Sequence, residues 1–206
     1  MSMRPFKRSE TPPILAECGG EWSKKWVIRQ KDKKDFDWPT VDGNRINHIL
    51  LQSLMPQTQE HCSFCDVFPV SPPSKDTIEH FRPKSKFSSE AFAWDNLYFC
   101  CDFCQGQKRE KYDEKTLRPD ESGYCFDDYF RWHYPSGKLE PNPDASCENQ
   151  ERAQITIDIY GLNNGHPRRR LKESEKLAHL ASSADINRDE LPYRNFLFQD
   201  EVIRQA

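Results

Sequence analysis

Hydrophobic residues recur at helical spacing in only part of this chain. Ile46, Ile49, Leu50 and Leu54 share one face of a helix predicted over residues 44 to 55, with Asp42 or Asn44 as N-cap and Pro56 as terminator. The β-branched and aromatic residues of Thr77-Ile78-Glu79-His80-Phe81 suit a short strand ended by Pro83. Trp94 to Cys100 makes a second strand or turn, and the Lys- and Arg-bearing stretch from Gln105 to Lys115 suits a helix. Tyr124, Phe126, Tyr129, Phe130, Trp132 and Tyr134 alternate loosely around a Pro135-Ser136-Gly137 turn, as one or two strands would. Helical texture returns with Ala153, Ile157 and Tyr160 before Gly161, then with Leu171, Ala178 and Leu180 after Pro167, and again from Pro192 through Phe196 to Val202 and Ile203.

Residues 1 to 43 show no sustained period. They mix prolines with Trp22, Trp26, Trp38 and the charge run Lys31-Asp32-Lys33-Lys34-Asp35, and they read as an extended arm. Aromatic residues in a polar arm need something to bury against, either the body of the chain or another protein. The expected class is α+β: an arm over 1–43, a core over 44–118, and a mixed strand and helix region over 119–206 packed on that core.

Composition narrows this picture. Of 206 residues 35% are hydrophobic and 31% charged, which suits one compact core with polar flanks, and fifteen prolines argue against long helices in the first two thirds. No window approaches the roughly 18 apolar residues of a membrane span. Eight cysteines follow no apolar signal stretch, so a reducing cytoplasm and metal ligation are expected in place of disulfides. The net charge of -3 assigns any nucleic-acid binding to local clusters. Those are Arg82, Lys84 and Lys86, then Lys108, Arg109 and Lys111, then Arg168 to Arg170, of which the last taken alone reads as a solvated face.

The chemistry concentrates between two Cys-x-x-Cys pairs. Cys62 and Cys65 with Cys101 and Cys104 supply the four soft ligands of a structural zinc site, and the segment between them becomes a closed loop. Cys100 adjoins Cys101 and could replace it, although the spacing favours Cys101. Cys18, Cys125 and Cys147 read as ordinary thiols, His61 as solvated, and His48, His133, His166 and His179 belong to no constellation. Within the loop His80 can take a proton from water near pH 7, and Glu79 offers a hard oxygen suited to magnesium. Neighbours in a strand point to opposite faces, so these two share a site only if the strand bends or ends there.

Cys-x-x-Cys, then Glu79-His80-Phe81-Arg82-Pro83-Lys84, then Trp94-Asp95-Asn96-Leu97, then Cys-x-x-Cys with a lysine four residues on resembles the HNH nucleases. The fuller string is closer to the HNH subunit of Septu-type antiphage systems, found also in some retron systems beside an ABC-like ATPase. The resemblance implies a zinc-pinned ββα-metal core, His80 as general base, Glu79 as a ligand of catalytic magnesium or manganese, and Asn96 orienting the hairpin loop. It implies Lys108 as a phosphate contact beside Arg82, Lys84, Lys86 and Arg109, with DNA favoured and RNA possible. Gln105 stands where the family carries asparagine or histidine as second metal ligand, and it keeps a carbonyl oxygen on a longer arm. Asp95 or Asp102 are candidate substitutes. The competing reading is a noncatalytic zinc module that binds nucleic acid or the ATPase.

Overall fold

The computed structural model describes residues 3–68, 78–180, 187–194 and 196–198. The turn-rich excursion expected at Pro69 to Lys75, and Val202 and Ile203 of the last expected helix, lie outside the described residues.

The expected extended arm instead carries a 19-residue helix, although the prolines argued against a long helix in this part of the chain. α1 runs Pro13–Lys31, with proline at its first position, where a fixed φ helps and a missing N–H costs nothing. It buries Leu15, Gly19, Trp22, Ser23 and Trp26. These fall on one helical stripe, but Gly19 and Ser23 dilute its apolar character, which hides the period in the sequence. Gly19 is small because the helix passes close to a neighbouring backbone: a Cβ there would lie 3.2 Å from the Phe92 carbonyl oxygen. The tryptophans bury against the chain's own body, in a cluster that joins Trp22, Trp26 and Trp38 to Ile46, Leu50, Phe92, Trp94 and Leu97.

β1 (Thr40–Val41) and β2 (Asn44–Arg45) pair around Asp42 and Gly43, whose φ of 49° and 76° make a hairpin turn with both central residues left-handed. Asp42 and Asn44 therefore do not cap the next helix. α2 (Ile46–Leu54) starts at Arg45 without a side-chain cap, and the chain continues through Pro56 in a 3-10 turn, Met55–Thr58. β3 (Ile78–His80) and β4 (Leu97–Phe99) pair antiparallel, Ile78 against Phe99, Glu79 against Tyr98 and His80 against Leu97. α3 (Asp102–Lys108) follows at once, earlier and shorter than expected, and stops where Arg109 takes a φ of 49°.

β5 (Phe130–His133) and β6 (Lys138–Pro141) form a hairpin whose Gly137 has no alternative: its φ is 66°, and a Cβ would meet the Pro167 carbonyl oxygen at 2.6 Å. α4 (Cys147–Tyr160) is capped by Ser146, whose Oγ accepts from the Asn149 N–H at 3.2 Å, and ends on left-handed Gly161. α5 spans His166–Leu180. No helix among the described residues is long and apolar enough to cross a membrane.

The β3–β4 ribbon separates two cores. Ile78, Leu97 and Phe99 join the tryptophan cluster, while Tyr98 faces a second cluster with the cysteines, Phe64, Phe126, Phe130, Trp132 and Tyr160. The first residues strap both together: the Met3 N–H donates to the Phe64 carbonyl at 3.0 Å and the Phe6 N–H to the Pro119 carbonyl at 3.1 Å. Arg8 reaches the Trp94 and Leu97 carbonyls at 3.0 and 2.9 Å and the buried Asp120 carboxylate at 2.6 Å. Burial alone would raise the Asp120 pKa, but Arg8, Tyr98 and Arg118 outweigh it and hold the carboxyl below its usual range. Arg8→Ala leaves Asp120 short of a counter-charge and two carbonyls without a donor, so it should destabilise the fold by about 3 kcal/mol in urea titrations.

Candidate active site and metal centre

Two tight turns bring the four cysteines together. Cys62 accepts the Asp66 N–H on its carbonyl at 3.0 Å, closing the first turn, and Asp66 adopts a φ of 57° to turn the chain away. Cys101 is the N-cap of α3, its sulfur accepting the Cys104 N–H at 3.4 Å, while the Cys101 N–H points at the Cys62 sulfur at 3.3 Å. The ligand atoms of Cys62, Cys65, Cys101 and Cys104 all lie within 4.8 Å of one another, and all four residues are buried. Tetrahedral zinc with Zn–S of about 2.3 Å needs sulfurs separated by about 3.8 Å. The Cys65 and Cys101 sulfurs, 3.6 Å apart and not disulfide-bonded, match that edge. The cluster can thus bind a structural metal such as zinc. Cys100 stands outside the quartet and turns its thiol to the Cys101 carbonyl at 3.4 Å.

Two histidines differ from their expected surroundings. His61 is buried, with its ring nitrogens 2.5 Å from the Gln59 carbonyl and 3.1 Å from that of Leu191. His166 is also buried: Nε2 lies 4.0 Å from the Cys104 sulfur and Nδ1 3.1 Å from the Tyr193 hydroxyl. It belongs to the surroundings of the quartet. So does Arg170, which is fully buried, donates to the Gly137 and Leu162 carbonyls at 2.9 Å, and holds its guanidinium over Trp132 and Tyr193; only Arg168 and Arg169 of that cluster are on the surface.

Glu79 and His80 end β3, and both line one cavity of about 270 Å³ together with Phe36, Trp38, Ile78, Pro83, Lys84, Gln105, Arg109 and Glu110. His80 Nε2 lies 3.0 Å from the Ala91 carbonyl oxygen. A carbonyl only accepts, so Nε2 carries the proton and the neutral ring keeps its lone pair on Nδ1. Burial, with Lys84 nearby, lowers the His80 pKa to about 3.

Lys108 is only 1% exposed and faces inward: its ammonium donates to Glu79 Oε1 and to the His80 carbonyl, each at 2.7 Å. It is an internal counter-ion, unavailable to a phosphate in solvent. Even so, burial outweighs Lys108 and raises the Glu79 pKa to about 7. Gln105 donates Nε2 to the Ile78 carbonyl at 2.8 Å and lines the same cavity. Glu79 and Gln105, each with a side-chain oxygen not engaged in the bonds above, share this cavity with His80. Two hard oxygens could serve a divalent cation only if it kept most of its waters, and Lys108 competes for Glu79.

Asn96 binds the loop between the strands. Its Oδ1 accepts the Arg82 N–H at 2.7 Å, and its Nδ2 donates to the Arg82 and Glu90 carbonyls at 3.1 and 3.0 Å. Of the expected cations, Lys84 and Arg109 line the His80 cavity, and exposed Lys86 lies with Arg109 along the adjoining surface groove. Arg82 is paired with Glu90 at 2.9 Å and opens onto a different cavity. Asp95 and Asp102 are exposed and away from the site. The acid that does join it, Glu110, carries no motif, and neither do Phe36 and Trp38. Only the richness of aromatics before Thr40 hinted at the latter pair.

No protein-family model matches this chain, and no curated protein matches it as a relative.

Purified protein should contain one tightly held zinc per chain; Cys101→Ser should lose it and Cys100→Ser should keep it, as read by metal analysis and chelator titration. His80 titrates near 6.5 when unfolded and about 3 when folded, so its contribution to stability is fully present above 6.5 and is lost as pH falls toward 3. Glu79, raised from 4.5 to about 7, acts oppositely, favouring the fold below 4.5 and losing that contribution as pH rises through 7. The stability difference between wild type and His80→Asn should therefore shrink from pH 6.5 to pH 4.5 in urea titrations, since the variant lacks the first effect only.

Proposed function

We propose that this chain is a metal-dependent nuclease of the HNH type, hydrolysing nucleic-acid phosphodiesters from the cavity at the end of β3. The observation that carries the reading is the His80 geometry. A neutral imidazole, its Nε2–H committed to the Ala91 carbonyl, has Nδ1 available as a base in the same cavity as two hard oxygen donors and two surface cations. The strand, loop, strand, helix order beside a four-cysteine cluster supports it.

In this reading Lys84 and Arg109 hold the phosphate by its non-bridging oxygens. His80 Nδ1 takes a proton from water as the water oxygen bonds to phosphorus, and the bond to the leaving oxygen breaks. That oxygen takes its proton from solvent. A base held at about 3 needs its imidazolium form stabilised, and the phosphate anion supplies that charge. Glu79 and Gln105 would hold a divalent cation, which supplies charge neutralisation at the phosphate and leaving oxygen. Asn96 keeps the loop that carries Lys84 folded against the strands. Service as the effector of a Septu- or retron-type antiphage system, with an ABC-like ATPase as partner, rests on the motif resemblance alone, as does the preference for DNA over RNA.

The second reading, a zinc module that binds nucleic acid or the ATPase without cutting, is favoured by one observation. Lys108 occupies one oxygen of Glu79, and the carboxyl is raised to about 7, so the principal cation ligand is only partly ionised at neutral pH.

Plasmid DNA and total RNA, incubated with the protein in magnesium alone and with any ATPase encoded beside it, separate the two. His80→Ala should lower cleavage by about 1,000-fold while zinc content and fold persist. Cleavage that is absent from wild type, with nucleic-acid binding equal in both proteins, would establish the binding module.

A further inference from the structure

The wall behind His80 comes from the segment between α1 and β1. Trp38 stacks on the imidazole, centroids 5.5 Å apart and planes inclined by 21°. Phe36 meets the same ring edge-on at 5.3 Å and 83°. Both are fixed from behind: Phe36 stacks on Phe92 at 5.5 Å and takes the edge of Trp26 at 5.1 Å, and Trp38 meets Phe92 edge-on at 5.6 Å. The Lys84 ammonium sits 5.0 Å from the Phe36 ring centre, and the Trp26 indole N–H donates to the Lys84 carbonyl at 3.0 Å. Trp38 is buried, and Phe36 is engaged by Phe92 and Lys84, so neither serves as a platform for a nucleobase.

What they do to His80 follows from its hydrogen bonding. A ring held by one bond, Nε2–H to the Ala91 carbonyl, can still rock about that bond. A flat indole against its face removes this freedom. A general base accelerates proton transfer only while its lone pair points at the proton it takes, so the plane of the ring matters as much as its presence.

We infer that Trp38, backed by Phe36, is a positioning residue that fixes the plane of the His80 imidazole so that Nδ1 addresses the cavity shared with Glu79 and Gln105. The inference rests on the nuclease reading. It assigns the region before Thr40 to the active site itself, where the sequence left the aromatic arm open between the chain's own body and another protein.

The test compares Trp38→Phe with Trp38→Leu in the full-length, zinc-bound protein. Both keep an apolar side chain of substantial size, so both should fold; only phenylalanine keeps a flat face. On whichever polymer the wild type cuts, Trp38→Leu should lower kcat by about 10- to 100-fold with KM within about twofold, and Trp38→Phe should recover most of the rate. In protein carrying isotope-labelled histidine, the His80 ring protons should show ring-current shifts that persist in Trp38→Phe and collapse in Trp38→Leu. Equal kcat in the two variants, or His80 resonances that do not respond to residue 38, would overturn the inference and leave the nuclease standing. A wild type that cuts neither DNA nor RNA overturns both.

Discussion

Four sulfurs drawn from two turns constrain most of what lies around them. The Cys62–Cys65 turn and the Cys101–Cys104 turn meet across a sequence separation of 36 between Cys65 and Cys101, and everything between becomes a loop whose ends are pinned. Closing such a loop costs chain entropy, and six strand residues in a two-stranded ribbon bury too little to offset it. A metal bound by four thiolates would supply that free energy directly, since its binding energy is folding energy. Burial pushes the Cys65 and Cys104 thiols well up, so without a cation the quartet resists carrying its full charge. α4 and α5 then close around it: Tyr160 stacks on Phe64 at 3.7 Å, and His166 and Arg170 turn their polar ends inward.

The second constraint is electrostatic and links the metal side of the ribbon to the cavity side. Glu79 points toward α3 and His80 toward the tryptophan cluster, as the alternation of a strand requires. They meet in one cavity because β3 ends at His80 and the chain bends at Phe81 and Arg82. Lys108 ties both to α3, with one bond to a carboxylate and one to a carbonyl. α3 is itself started by Cys101, so the position of the Glu79 carboxylate depends on the sulfur cluster through a single short helix.

The parts of this arrangement visible in the sequence were those with a short, strict spacing. The two Cys-x-x-Cys pairs, the strand before Pro83, the helix that buries Ile46, Leu50 and Leu54, and the stop at Gly161 each rest on local rules that tertiary context did not override. α1 was hidden because two of its five buried positions are glycine and serine, small for close approach to Phe92 and not apolar enough to register. Lys108 was misread for a different reason. Its place after the last Cys-x-x-Cys pair, in a basic cluster, read as a phosphate contact, whereas its burial depends on a carboxylate 29 residues earlier. The same holds for Arg170 and His166, whose partners lie in other elements.

These misreadings bear on how surface charge guides ligands here. With Lys108 internal and Arg82 committed to Glu90, the cations left at the cavity are Lys84 and Arg109, and they face Glu79 and Glu110. Lys108 already neutralises Glu79, so Lys84 and Arg109 stand against Glu110 alone and the site keeps a net charge of only about +1; long-range attraction for a polyanion is modest and short-range geometry must dominate. A cation bound at Glu79 would add to that small positive excess, making phosphate affinity dependent on metal. The packing of α1 against the loop 83–87 then acquires its purpose: where charge only modestly steers a strand into place, the basic loop and the imidazole have to be held ready for it.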